Sequence, residues 1–122
     1  MNPNALAQRI AHILYDKKAL DIVVLNVGHL TVISDYMVIA SGRSSLQVKA
    51  LADDVDDAMA MEGITLRARD GAGEGRWIVL DFGTVLVHIF HPEDRQFYHL
   101  ERLWEDGENR VALPFMDEDK DA

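Results

Sequence analysis

The run "RWIVLDFGTVLVHIF", residues 76–90, constrains the fold more than any other part of the chain. Apolar and β-branched residues flank Gly83-Thr84, and a two-residue loop with Gly at its first central position suits a type II′ turn, where φ is positive. The turn sets the register. Phe82 then faces Val85, Leu80 faces Val87 and Ile78 faces Ile89, so six apolar side chains share one side of a sheet. At about 1.5–3 kcal/mol for each fully buried large side chain, that side is driven into a core. The other side pairs Trp77 with Phe90, Val79 with His88 and Asp81 with Leu86, and sets His88 diagonal to Asp81. It is too apolar for plain solvent exposure and too polar for an ordinary core.

Three roles are open to this second face. A helix can cover it, with Asp81 and His88 hydrogen-bonding at the edge. It can be an interaction patch, because Trp, Tyr and charged neighbours are what binding hot spots are made of. Catalysis has the least support: an Asp–His pair can orient an imidazole, but the chain has no Cys, and the sequence places no Ser or Thr beside the pair.

The rest of the chain supplies the covering elements. Asn2 or Asn4 can cap a first helix with Pro3 in its opening turn, and Leu6, Ile10, Ile13 and Leu14 repeat at helical spacing, predicting a helix over residues 5–18. Short strands are expected at 21–27, 30–33 and 36–40, separated by Gly28-His29 and Ser34-Asp35. Ser44 to Gln47 fits a capping box, followed by Val48, Leu51, Val55 and Met59 on one helical face and Gly63 as the stop. A strand is expected at 64–68, a flexible loop at 70–76 and a helix from Pro92 to about Glu105. In that last helix Phe97, Leu100 and Trp104 can face the core, with Tyr98 and Glu101 together on a neighbouring face. Residues 106–122 are polar and acidic, with only Val111–Leu113 expected to dock. No repeat or linker interrupts the chain, and 122 residues make one core of helices packed on a sheet, an α/β domain at 1–105 followed by an acidic tail.

Charge and composition narrow the function. Twelve Lys and Arg against 21 Asp and Glu give a net charge of -9, which repels phosphate backbones and attracts basic proteins. No run reaches the roughly 20 apolar residues of a membrane-spanning helix, and no secretory signal opens the sequence, so a cytoplasmic protein is expected. The acidic run Asp53-Asp54-Val55-Asp56-Asp57 invites a metal reading like that of nucleotidyltransferases. Those enzymes place such carboxylates on a strand, whereas on a helix Asp54 and Asp56 point about 200° apart. Gly71 to Gly75 precedes a strand rather than a helix, so it lacks the architecture of a phosphate cradle. His88, His91 and Glu93 cannot share an ion across opposite strand faces and Pro92. No metal or cofactor is expected.

Taken together, "WIVLDFGTVLVHIF", "FYHLERLW", "DIVVLNV" and "SDYMVIASGRSSLQVKALAD" resemble the Iojap-like ribosomal silencing factors, over about residues 4–105. Thr84 and Leu46 depart from that pattern, where an acidic and a basic residue are common. The resemblance implies a mixed sheet flanked by helices, like that of nucleotidyltransferases but without their catalytic carboxylates. It also implies a protein that is not an enzyme. Such a factor binds the large ribosomal subunit through ribosomal protein fourteen and blocks joining of the small subunit, with little or no direct nucleic-acid binding. By the same resemblance Trp77, Tyr98 and Glu101 are the contact positions, with Asp81, His88, Phe90 and Leu100 as neighbours. A nucleotidyltransferase-like enzyme and a homodimeric scaffold remain as alternatives.

Overall fold

A computed structural model describes residues 1–71 and 74–116. Helix α1 spans Pro3–Asp16, strand β1 Leu20–Asn26, β2 Tyr36–Ser41, helix α2 Ser45–Met61, and strands β3 Ala68–Asp70, β4 Trp77–Asp81 and β5 Val85–Phe90. Two short helices follow, α3 at Pro92–Tyr98 and α4 at Glu101–Trp104. The strands form one mixed sheet in the order β1-β2-β5-β4-β3, in which only β2 and β5 run parallel. The mixed α/β sheet flanked by helices is therefore the observed architecture.

The hairpin register follows the turn. Trp77 pairs with Phe90, Ile78 with Ile89, Val79 with His88, Leu80 with Val87 and Asp81 with Leu86, and Gly83 has φ +86. Ile78, Leu80, Phe82, Val85, Val87 and Ile89 are all buried against α1 and α2. Asn2 caps α1 by accepting from the backbone N–H of Ala5, with Pro3 in the first turn. Ser44 caps α2 by accepting from Gln47 N–H, but the Gln47 side chain reaches back one residue further than a capping box requires, to Arg43 N–H. Val48, Leu51, Val55 and Met59 form the buried stripe of α2.

The opposite face of the sheet builds a second, smaller core. Val23, Leu25, Val27, Met37, Ile39, Phe90 and Leu100 cluster there, with Trp77 and Trp104 packed against them. Being central, β2 and β5 are covered on both sides, which is why their sequences read as nearly continuous apolar runs.

Three expectations about elements need correction. Residues 30–33 form no strand: the Val27 carbonyl accepts from both Leu30 and Thr31 N–H, folding the segment into a turn that leaves Leu30, Val32 and Ile33 exposed. The strand expected at 64–68 begins only at Ala68, because Ile64 N–H donates to the Met59 carbonyl and closes α2 instead. The single helix expected from 92 to 105 is broken at His99, whose φ of +47 is left-handed.

Of the loop expected at 70–76, positions 72 and 73 lie outside the described residues. Its flanking glycines are sterically fixed. A Cβ on Gly71 would lie 1.9 Å from the Trp77 carbonyl oxygen, and one on Gly75 would lie 2.5 Å from that of Ser45. Past residue 105 the chain stays on the domain. Asn26 N–H donates to the Asn109 carbonyl, Val111 N–H donates to that of Val24, and Val111, Leu113, Phe115 and Met116 pack on the main core.

Candidate functional site

The aromatic residues of the hairpin and of α3 form one ladder. Phe90 is fully buried, and the half-buried Trp77 stacks on it with ring centroids 4.8 Å apart. Tyr98, 52% exposed, tilts onto Trp77 at 5.0 Å. Phe97, 80% exposed, meets Tyr98 edge-on at 5.0 Å. The series runs from the second core to solvent within four rings.

Trp77 is fixed in rotation as well as by stacking. Its indole Nε1–H donates to His88 Nδ1 at 3.1 Å, which requires the neutral imidazole with its proton on Nε2. Burial pushes the His88 pKa down to about 4, so this neutral form persists through the physiological range. His88 Nε2 is buried without a hydrogen-bond partner among the described residues. The indole N–H is thus engaged internally.

Glu101 and Leu100 are held by the break at His99. Leu100 is buried in the second core, and Glu101 accepts through Oε1 from Arg95 Nε across the break, in a largely buried ion pair. Arg95 Nη1 also donates to Ser41 Oγ at 3.1 Å, tying the pair to β2. Glu101 Oε2 is buried and has no partner among the described residues.

The structure therefore separates the seven residues that the sequence grouped. Trp77 and Tyr98 are accessible and in contact. Phe90, His88 and Leu100 are buried and support them from beneath. Glu101 is directed inward to Arg95. Asp81 does not bond to His88: its carboxylate accepts from Gly83 N–H at 2.7 Å and pins the turn. Phe97, assigned to the core by helical spacing, lies outside because α3 buries none of its residues. Sequence reasoning also missed Arg95 and Ser41. The Arg95–Glu101 spacing of six is no helical pairing, and the signal that could have suggested it was His99, a residue type enriched at positive φ.

The other constellations resolve into ion pairs. Asp53 and Asp56 lie on α2, where they face Arg69 of β3 at 2.9 and 3.9 Å. Arg76 bonds Asp94 and Glu93 at 2.6 and 3.2 Å, holding the start of α3 to the start of β4. Both carboxylates keep its guanidinium pKa raised.

A family model described as "ribosomal silencing factor during starvation" matches residues 1–122. The chain belongs to that family. It is 37% identical over 107 residues to the ribosomal silencing factor of Bacillus subtilis, covering 88% of this chain and 91% of that one. With the chloroplastic Iojap protein of Arabidopsis thaliana it shares 33% over 114 residues, spanning 93% of this chain and 47% of the plant protein. The crystal structure of a Chromobacterium violaceum protein superposes with a TM-score of 0.83 at 31% identity, covering 93% of this chain and 96% of that chain. That of a Bacillus halodurans protein gives 0.74 at 34% identity, covering 90% and 96%. Membership of this family and the name of the Bacillus subtilis relative bring translation regulation into view.

Proposed function

We propose that this silencing-factor chain represses translation in the cytoplasm by occlusion, without chemistry. It binds the large ribosomal subunit through ribosomal protein fourteen and keeps the small subunit from joining. The observation that carries this reading is the accessible Trp77–Tyr98 pair, braced from below by Phe90 and His88, in a member of this family. Rigid aromatic side chains at the centre of a patch are the residues on which binding energy concentrates. A net charge of -9 steers encounter with a basic ribosomal protein and disfavours direct contact with RNA phosphates. Of the polar groups that suggested catalysis, Asp81 is engaged with the turn and Asp56 with Arg69, and Asp54 and Asp56 lie on a helix rather than on the strand that shared chemistry needs.

Co-sedimentation with purified large subunits at low salt, followed by a subunit-joining assay, tests the reading. Binding together with inhibited joining is expected; a folded protein that does not pellet with the subunit refutes it. Trp77→Ala and Tyr98→Ala should each weaken binding by more than about 1 kcal/mol, as hot-spot truncations do. A metal-dependent nucleotide transfer lost in Asp54 or Asp56 variants would instead establish the transferase reading.

A further inference from the structure

We propose that Phe97 is the outermost anchor of the docking surface and enters an apolar pocket of the basic partner protein. This rests on the occlusion reading above and extends it to a residue whose spacing assigned it to the core.

Three observations carry the proposal. Phe97 is 80% exposed on a helix none of whose residues is buried, so packing among the described residues gives no reason for a large apolar side chain there. Its ring meets Tyr98 at 5.0 Å, making it continuous with the Trp77–Tyr98 pair and, through Phe90, with the second core. The ladder also limits the freedom of Tyr98 before any partner arrives, and such preorganisation reduces the ordering cost of binding. The flanking charges select the partner. Glu93, exposed in the first turn of α3, and Asp94 share Arg76, Glu101 holds Arg95, the exposed Arg102 adds a positive charge, and the chain as a whole carries -9. A pocket rimmed by Lys or Arg is therefore favoured over an acidic or purely apolar one.

The test compares Phe97→Ala, Phe97→Leu and Met61→Ala in binding to purified large subunits, with thermal unfolding and equilibrium sedimentation of each free protein. Met61 is another exposed apolar residue, at the end of α2. Phe97→Ala should weaken binding at least about 10-fold with an unchanged unfolding midpoint, Phe97→Leu should recover part of that loss, and Met61→Ala should bind as the unaltered chain. Unchanged binding by Phe97→Ala, while Trp77→Ala binds weakly, overturns the anchor and leaves the occlusion reading standing. Failure of the unaltered chain to bind removes the reading itself. If Phe97→Ala changes only the mass of the free protein and not its binding, the side chain serves a contact between two copies and the proposal fails.

Discussion

His88 shows how one residue joins fold to surface. Its position opposite Val79 follows from the Gly83 turn, so the sequence was enough to put it beside Trp77. What the sequence could not supply was the direction of the ring, which lies near Trp77 and Phe90 and accepts from the Trp77 N–H. The lowered pKa has a thermodynamic consequence. The folded state holds neutral imidazole down to about pH 4, whereas the unfolded chain takes up a proton near pH 6.5. The unfolded state therefore binds more protons between those values, and stability falls as the pH drops through that window. The full effect is on the order of 3 kcal/mol at the low end. His88→Gln, which cannot titrate but retains an acceptor for the Trp77 N–H, should flatten the dependence of the unfolding midpoint between pH 7 and 4.5. A slope as steep as that of the unaltered protein would assign the acid sensitivity to other groups.

At the scale of elements, strongly periodic segments were legible and short ones were not. The stripes of α1 and α2 are read directly from their 3.6-residue spacing, since each buries one face on the same side of the sheet. The segment after Pro92 misleads for the converse reason. Phe97, Leu100 and Trp104 have helical spacing, but the helix stops at His99: Leu100 is buried in the second core and Trp104 packs against it, while Phe97 is left exposed. Tertiary contacts decide this: Leu100 inserts beside Phe90, and the Arg95–Glu101 pair closes across the break. Removing one partner of a largely buried pair leaves an uncompensated charge, a loss of about 3–5 kcal/mol when burial is complete and less here. Arg95→Met and Glu101→Leu should each lower stability by about 2 kcal/mol, and the double variant should regain most of it. Denaturant unfolding of the four proteins measures the coupling; additive losses would show that the pair does not act as a unit.

For the whole molecule, composition suggested a domain ending near 105 and an acidic tail. The segment that follows 105 is held by backbone and side-chain bonds that polar residues make as well as apolar ones. Asn109 is buried, and its side chain accepts from Asp106 N–H while donating to the carbonyls of Asn26 and Trp104. Arg110 bridges to Leu25, and Val111 bonds to Val24, so this segment covers the outer edge of β1. An uncovered strand edge is a template for intermolecular pairing. Downstream, Phe115 stacks on His12 at 4.5 Å and tilts against Tyr15 at 5.3 Å, fastening the segment to α1. Two truncations divide these contributions. A chain ending at 116 keeps all of these contacts and is the reference. One ending at 105 loses the Asn109 bonds, the cover on β1 and four partly buried apolar side chains; at about 1 kcal/mol for each such side chain and each buried hydrogen bond, its stability should fall by several kcal/mol. It should also aggregate as β1 becomes available. If the 105-residue chain instead matches the 116-residue one in midpoint and remains monomeric by sedimentation, the segment from Asp106 to Met116 is an appendage and the domain ends where composition placed it.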